Sequence, residues 1–237
     1  MTIDTVPTPL RRGRLRLFDG FRLEAGGDEI EFGTSAQRLL AFLALNGPST
    51  RTVVAGRLWG DVSEERAQGS LRTTIWRIGR KVSWLVRSEY RRLSLSDAVT
   101  VDVAEFSQDA FAQLRNGSSA NGARNRLAVQ ELLPGWYDDW VVFERDRLRQ
   151  LDLHARESRA NELYARGEFG LALNLALEAV SQEPLRESVR KLAIHIHLAE
   201  GNTAEAIREY RRYRQLLVEQ LGVEPSRELA NLCVGLT

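Results

Sequence analysis

The chain has 237 residues, 43% hydrophobic and 27% charged, which gives room for one large or two ordinary domains with an apolar core. No apolar run approaches the ~20 residues of a membrane-spanning helix, and the N-terminus lacks the apolar stretch of a secretory signal, so a cytoplasmic protein is expected. A single cysteine, Cys233, excludes an internal disulfide and a multi-thiolate metal site, and we expect it to be a small buried hydrophobe.

The N-terminal segment predicts a loose arm followed by a small antiparallel sheet. Residues 1–13 combine prolines, a glycine and paired arginines, which is typical of an arm without regular structure. Apolar and polar residues then alternate from Arg14 to Phe32, with turn signals at Asp19-Gly20 and at Gly26-Gly27-Asp28. This pattern predicts three short strands.

Three helices are expected next. Thr34 or Ser35 would cap the first helix, which would end at Asn46-Gly47-Pro48. The second would run over residues 52–59, and the break at Gly60-Asp61 separates it from a longer third helix.

The third helix has one apolar side and one basic, polar side. The apolar side is formed by residues spaced four, three and four positions apart: Leu71, Ile75, Ile78 and Val82. At about 100° per residue, a second set projects from the opposite side: Arg66, Gly69, Thr73, Trp76, Arg77 and Arg80. The segment 64–92 holds eight basic residues against three acidic ones, although the whole chain has a net charge of only +1. Such a local basic focus is typical of a protein that binds duplex DNA with one face.

A hairpin follows the third helix. Residues 84–87 and 92–95 predict two strands around the loop Ser88-Glu89-Tyr90-Arg91, and residues 99–101 are a candidate for a third strand. A sheet, three helices and a hairpin in this order predict a winged helix of the response-regulator kind, with the hairpin as the wing.

The first domain contains three distinctive motifs: RLWGD, the arginine-rich SLRTTIWRIGRK and the hairpin exit VTVDVAEF. Together they resemble the SARP family (Streptomyces antibiotic regulatory proteins), whose DNA-binding domain is of the OmpR/PhoB type. Further along, LLPGWYDDWVVFERDRLRQL resembles the beginning of the family's bacterial transcriptional activation domain, and LLVEQLGVEPSRELANL resembles its end. The resemblance covers residues 14–232 and implies the small, stand-alone form of the family.

The LLPGWYDDWVVFERDRLRQL motif itself predicts an aromatic plug that leads into a long helix from Phe143. The plug is composed of Trp136, Tyr137, Trp140, Val141 and Phe143. Before it, the polar stretch 116–125 is expected to be a flexible joint or an exposed loop.

The C-terminal half contains an internal repeat with an offset of 34 residues. Gly167 matches Gly201 and Ala172 matches Ala206 at this offset. A 34-residue period is the tetratricopeptide spacing, in which each unit is a helical hairpin. The sequence therefore predicts a mainly α fold with small β-sheets: a flexible arm (1–13), a winged helix-turn-helix domain (14–106) and a tetratricopeptide-like all-α domain (107–237).

Candidate DNA contacts form two groups. On the recognition helix they are Arg66, Ser70, Arg72, Thr73, Thr74, Trp76, Arg77, Arg80 and Lys81, and on the wing and backbone side they are Arg51, Arg87, Arg91 and Arg92. Arg77 is the central candidate for reading bases, whereas Arg91 and Arg92 lie where a wing meets the minor groove. Arg51, Ser70 and Arg87 are candidates for phosphate contacts. Each arginine alone is more often a solvated surface residue, so the prediction depends on the group.

Two residues of the third helix have open or unusual roles. Trp76 has two alternatives: it contacts sugars or a thymine methyl group, or it folds back onto the wing. Gly79 departs from the Leu-Arg-Arg of many relatives. It either weakens the helix locally, because glycine costs roughly 1 kcal/mol relative to alanine, or lets a phosphate or a strand come close, and we expect the first. It is therefore not a candidate contact.

Nothing in the sequence predicts an enzyme. The three histidines are His154, His195 and His197, and the last two are two residues apart, which puts them on different sides of a helix. The nucleotide-binding glycine motifs, the Gly-x-Ser-x-Gly elbow and the paired-histidine zinc motif do not occur. We therefore expect no catalytic residue, no metal and no cofactor.

The resemblance implies an activator of a secondary-metabolite (antibiotic-type) gene cluster. Its partners would be double-stranded promoter DNA at direct repeats, RNA polymerase holoenzyme and a second copy of the chain on DNA. The protein would be associated with the nucleoid and would not bind a membrane. The alternative is a helical-repeat adaptor or ligand sensor whose winged helix makes protein contacts. A repressor would bind DNA by the same chemistry as an activator and would differ in lowering transcription instead of raising it.

Overall fold

The computed structural model describes residues 12–116 and 131–234. Apart from their edges, the expected arm (1–13) and polar joint (116–125) lie outside the described residues. The described strands are, in chain order, β1 (Gly13–Arg16), β2 (Arg22–Ala25), β3 (Asp28–Glu29), β4 (Ser49–Thr50), β5 (Val86–Glu89), β6 (Arg92–Leu95) and β7 (Val99–Val101). The described helices are α1 (Thr34–Asn46), α2 (Arg51–Leu58), α3 (Glu64–Lys81), α4 (Asp102–Asn116), α5 (Asp139–Ala165), α6 (Phe169–Gln182), α7 (Glu187–Ala199), α8 (Thr203–Leu221) and α9 (Arg227–Val234). None of these helices is long and apolar enough to cross a membrane.

The described chain forms two compact units. One contains residues 12–108 and 131–147, and the other contains residues 109–116 and 148–234. The first unit holds every described strand and the three helices of the predicted winged helix, whereas the second is entirely helical. The predicted fold class, mainly α with small sheets, is therefore confirmed. Residues 131–147, which the sequence motif assigns to the second domain, group with the first unit.

A four-stranded sheet opens the first unit, in the order β3-β2-β1-β7. β1 pairs antiparallel with β2, where Leu15 lies opposite Leu23, and parallel with β7, where Leu15 lies beside Val101. Leu15 and Leu23 are buried, so the apolar residues of the alternating pattern line the inner side of the sheet.

Two details of the expected sheet are corrected. The third strand is Asp28–Glu29, because after Ile30, whose N–H donates to the carbonyl of Leu23 at 2.7 Å, the chain turns away to begin α1. Residues 99–101 form a strand, but they extend this sheet by pairing with β1 and not with the wing.

Asp102, the first residue of α4, ties the helix to the sheet. Its carboxylate accepts the backbone N–H groups of Leu17 and Phe18 at 3.0 and 3.1 Å, and that of Val103 at 2.8 Å. Burial raises the pKa of Asp102 above its usual value, and the three N–H donors act in the opposite direction.

The helices α1, α2 and α3 enclose the core of the first unit. Each contributes fully buried side chains, among them Leu39, Leu40, Val54, Leu71 and Ile78. Leu71 and Ile78 belong to the apolar side that the sequence predicts for the third helix, and burying each of these side chains stabilises the fold by roughly 1.5–3 kcal/mol.

The helix ends differ in part from the expectation. α1 begins at Thr34 with Gly33 in the capping position and without a side-chain cap, so neither Thr34 nor Ser35 caps it. Its predicted end is confirmed: Gly47 adopts a φ of 68° and donates its N–H to the carbonyl of Leu43. α2 begins one residue early, at Arg51, because the side chain of Thr50 accepts the N–H of Val53.

Residues 131–147 pack onto α1 through Trp140, which Trp136 of the same segment contacts in turn. The ring of Trp140 meets that of Phe42 edge to face at 5.4 Å between centroids, and that of Trp136 at 6.4 Å. The expected aromatic plug is wrong for its other two rings, since Tyr137 and Phe143 are 84% and 80% exposed. The long helix begins at Asp139 rather than at Phe143.

The second unit shows the predicted 34-residue repeat. Gly167 follows α5 and Gly201 follows α7, and their φ angles are 76° and 79°. Their small-residue partners Ala172 and Ala206 are both fully buried, one on α6 and one on α8. The repeating unit is therefore a helical hairpin, as the period predicts.

The same offset relates two buried arginines. Arg156 of α5 donates to Asp152 at 2.8 Å and to Glu178 at 2.7 Å, and Arg190 of α7 pairs with Glu209 of α8. Cys233 is buried as expected, and burial raises the pKa of its thiol.

Candidate nucleic-acid interface

α3 separates the residues that it buries from those that it presents to solvent. The buried ones are Ala67, Leu71, Thr74 and Ile78. The exposed ones include Arg66, Arg72, Thr73, Trp76, Arg77 and Arg80. The acidic residues of this helix lie in its first turn and basic ones in its last turn, which is the arrangement that the helix dipole favours.

Three arginines of the exposed side are free to bind an external anion. Among the described residues, the guanidinium groups of Arg66, Arg72 and Arg77 make no ion pair or hydrogen bond. A cation that is not neutralised by its own protein retains its full attraction for phosphate and for the acceptor atoms of bases.

Trp76 lies on this exposed side and does not fold back onto the wing. The indole is 60% exposed, and the guanidinium carbon of Arg80 lies 5.1 Å from its ring centroid. This distance is within the range of a cation–π interaction. Of the two roles left open by the sequence, the solvent-facing one is compatible with the structure.

Two candidates on the recognition helix are directed elsewhere. Thr74 is 5% exposed and its hydroxyl donates to the carbonyl of Ser70 at 2.8 Å, so it is removed from the candidate contacts. The half-buried Ser70 keeps its place. Lys81 donates its Nζ to the carbonyl of Glu31 at 2.6 Å and lies over the ring of Phe32, which ties it to its own unit.

The wing is the hairpin of β5 and β6, to whose β6 edge the short strand β4 adds. Its tip consists of Tyr90 and Arg91, and both residues have positive φ angles, 44° and 73°. Tyr90 is 99% exposed. Two non-glycine residues in the left-handed region form the turn that suits the twist of a two-stranded hairpin, at a cost in backbone strain.

The remaining candidates surround the base of the wing. Arg51 donates its backbone N–H to the carbonyl of Arg91 and its guanidinium to Ser88 at 3.1 Å, which joins the start of α2 to the wing. Arg87 is paired with Asp97, so its charge is partly neutralised. Arg92 is exposed and unpaired within the described part of the chain.

A cleft that the sequence did not predict lies beside the recognition helix. It has a volume of about 640 Å³, and its lining includes Thr34 and Ser35 together with Trp76, Arg77, Arg80 and Lys81. The lining therefore combines cationic side chains with the first turn of α1, and this combination attracts anions. No signal in the sequence brings α1 and α3 together at this point. The exposed position of Tyr90 at the wing tip, in contrast, could have been predicted from its central place in the hairpin loop.

Comparison with known proteins gives one family match. Residues 101–234 match the family described as "Bacterial transcriptional activator domain". Two curated relatives are the Regulatory protein AfsR of Streptomyces griseus, 27% identical over 96% of this chain, and that of Streptomyces coelicolor, 30% identical over 87%. The chain spans only 25% and 22% of the lengths of these two relatives.

A solved structure shares the fold. It is Mycobacterium tuberculosis EmbR in complex with low affinity phosphopeptide, with a TM-score of 0.76 and 20% sequence identity. The similarity covers 95% of this chain and 65% of that one. At this level of identity the likeness supports the arrangement of elements, a winged helix followed by a helical domain, and nothing more.

Proposed function

We propose that this chain, which belongs to the SARP-type transcriptional regulators with a bacterial transcriptional activator domain, binds promoter DNA in a sequence-specific way and activates transcription. The observation that carries the proposal is the exposed side of α3. There Arg66, Arg72 and Arg77 have no anionic partner among the described residues, and a wing with a basic tip follows in the chain. In a winged helix this is the side that enters the major groove.

The contacts would divide by chemistry. Arg77 lies near the middle of the exposed side and would donate two hydrogen bonds to the O6 and N7 atoms of a guanine. Arg66 and Arg72 would contact phosphates, with Arg91 and Arg92 at the minor groove and Ser70, Arg51 and Arg87 as weaker phosphate contacts. Most of the affinity would come from the phosphate contacts and most of the specificity from the bases.

The family supports a wider proposal about partners. Two copies would bind direct repeats in a promoter and associate with each other on the DNA, and the helical unit would help to recruit RNA polymerase holoenzyme. The target would be a secondary-metabolite gene cluster of the antibiotic type, and the protein would act in the cytoplasm at the nucleoid. The name of the Streptomyces relatives, a regulatory protein, is consistent with this role.

The first experiment measures binding to a promoter fragment upstream of neighbouring biosynthetic genes across a series of salt concentrations. Wild type should bind in a sequence-dependent way, with log affinity falling linearly with log salt. Arg77→Ala should cost about 1–3 kcal/mol and relax specificity at one base pair. Arg211→Ala removes an exposed arginine from α8 and is the matched control, which should bind like wild type.

The opposite result would be binding no stronger than that of a generic basic protein at low salt. The activator proposal would then fail, and the adaptor or ligand-sensor alternative would direct the search for a partner to the helical unit. If DNA binding is specific, in vitro transcription with purified holoenzyme distinguishes activation from repression. An activator raises transcript yield from the bound promoter, and a repressor lowers it.

A further inference from the structure

Trp76 and Arg80 form a cation–π pair on the exposed side of α3. They are four residues apart, so one lies above the other on the helix surface. The guanidinium carbon is 5.1 Å from the indole centroid, and the indole is 60% exposed although it is a large aromatic side chain. The core does not account for this tryptophan, because most of its surface faces solvent.

The contact with the indole restricts the conformations of the Arg80 side chain. A free arginine side chain samples many rotamers and loses that freedom when it binds. The guanidinium carbon lies over the indole, and the guanidinium makes no ion pair or hydrogen bond among the described residues, so this contact limits its positions while its N–H donors remain available. Such a group is prepared for a planar, two-hydrogen-bond acceptor.

The acceptor of that geometry in duplex DNA is the major-groove edge of guanine. Its O6 and N7 atoms match the two parallel N–H groups of an arginine. A phosphate also accepts hydrogen bonds from arginine. A phosphate contact, however, carries no sequence information and does not require an aromatic ring that orients the guanidinium group.

The indole has its own match on the neighbouring base pair. The guanidinium carbon lies 5.1 Å from the indole centroid and stacked base pairs are separated by about 3.4 Å, so the two side chains can reach the edges of adjacent base pairs. An apolar ring edge beside the groove favours the 5-methyl group of thymine, which is the only apolar group on the major-groove edges.

We propose that Trp76 and Arg80 together read a thymine and an adjacent guanine in the operator, Arg80 through hydrogen bonds to O6 and N7 and Trp76 through the thymine methyl group and by aligning Arg80. This inference rests on the proposed DNA binding and adds two specificity-determining residues to Arg77. It also predicts that Trp76 and Arg80 act as a unit, so that removing the indole weakens the contact made by the guanidinium.

The experiment begins with selection of bound sequences from a random duplex library by the full-length chain. A library with no enriched sequence would overturn the proposed function itself, before the pair is tested. In the enriched operator, each guanine is then replaced in turn by 7-deazaguanine, which lacks the N7 acceptor. Each thymine is replaced in turn by uracil, which lacks the methyl group. Affinities are measured for wild type, Arg80→Ala, Trp76→Ala and Trp76→Phe.

For wild type, we expect one guanine at which 7-deazaguanine weakens binding by roughly tenfold or more, beside a thymine at which uracil weakens it severalfold. Arg80→Ala should abolish the first effect. Trp76→Ala should abolish the second and reduce the first, and Trp76→Phe should keep part of both. Arg211→Ala, which removes an exposed arginine of α8 outside the proposed interface, is the control and should leave both effects unchanged.

A different pattern of affinities would contradict the proposal that Trp76 and Arg80 together read two bases. If Arg80→Ala and Trp76→Ala weaken binding equally at every analogue position and Arg80→Ala lowers the salt dependence, Arg80 contacts a phosphate and reads no base. Because Trp76 and Arg80 are exposed, thermal unfolding of the variants should match that of wild type, which separates loss of contact from loss of fold.

Discussion

Gly167 and Gly201, which are 34 residues apart, adopt the same left-handed backbone conformation, with φ angles of 76° and 79°. Their surroundings repeat as well. Gly167 donates its N–H to the carbonyl of Tyr164 at 3.0 Å, and Gly201 donates to that of Leu198 at 3.0 Å. Each glycine thus ends one helix and turns the chain into the next, so the sequence period corresponds to a repeated backbone geometry.

Alanine at either position should destabilise the helical unit. A Cβ atom in the left-handed region costs roughly 1–2 kcal/mol, even though neither site has another atom within 4 Å of it. We expect Gly167→Ala and Gly201→Ala each to lower the free energy of unfolding by about that amount, as measured by urea denaturation monitored by circular dichroism.

Gly170 provides the control for this prediction. It lies in the first turn of α6, has no strained φ angle and has open space at its Cβ position. Gly170→Ala should therefore be neutral or slightly stabilising. Equal destabilisation by all three substitutions would mean that glycine is not required for its backbone freedom at these turns.

The helical repeat could be predicted because it depends on local features that recur along the chain. Turn glycines and small crossing residues such as Ala172 and Ala206 are visible at a fixed offset. The position of residues 131–147 could not be predicted in this way. Their attachment depends on the contact between Trp140 and Phe42, which are far apart in sequence.

Arg145 holds the segment 131–147 together, and its removal should be destabilising. Its guanidinium donates to the carbonyls of Leu132, Leu133 and Trp136 at 2.9, 3.0 and 3.2 Å. Arg145→Ala would remove this donor from the carbonyls of Leu132 and Trp136, whereas that of Leu133 also accepts the N–H of Trp136, and the cost should be about 1–3 kcal/mol. Thermal unfolding would show the loss as a lower Tm.

The neighbouring Arg147 is the matched comparison. It lies on the same helix and pairs with Glu144 three residues earlier, and its side chain is 46% exposed. Exposed pairs of this kind contribute about 0.2–1 kcal/mol, so Arg147→Ala should have a smaller effect than Arg145→Ala. A larger effect of Arg147→Ala would contradict the role assigned to Arg145.

The recognition helix shows what the sequence can and cannot predict about the site. The helical period places Arg66 and Arg77 on the exposed side correctly, because that assignment needs only the spacing of residues. It fails for Thr74, whose position borders the two sides and whose hydroxyl bonds to the preceding turn. The attachment of Lys81 to Glu31 depends on a contact between separate elements, which spacing does not reveal.

A substitution at Gly79 distinguishes two explanations for a glycine inside α3: local weakening of the helix, or close approach of a phosphate or a strand. It is exposed and open space surrounds its Cβ position, so Gly79→Ala should stabilise the chain by about 0.5–1 kcal/mol through helix propensity alone. We also expect operator affinity to remain unchanged. Higher stability together with clearly weaker binding would show instead that the DNA backbone approaches this position closely.

Tyr213 predicts a dependence of stability on alkaline pH. It is 1% exposed, and its hydroxyl donates to the carbonyl of Leu185 at 3.2 Å. Burial, with the nearby charge of Glu187, raises the pKa of Tyr213 from 10.0 to about 12. Because the folded state holds this proton more tightly than the unfolded chain, the associated stability is fully present below pH 10 and is lost as the pH rises towards 12.

The loss attributable to Tyr213 should reach about 1.4 kcal/mol at about pH 11, on the way to about 2–3 kcal/mol at about pH 12, since each pKa unit corresponds to about 1.4 kcal/mol. Urea denaturation of wild type and Tyr213→Phe at intervals from about pH 8 to 11 measures it as the difference between the two curves, because phenylalanine has no proton to lose. Tyr90→Phe removes a fully exposed phenol at the wing tip and should reproduce the wild-type curve. Parallel curves for wild type and Tyr213→Phe would contradict the prediction, because they would mean that the buried phenol ionises equally easily in both states.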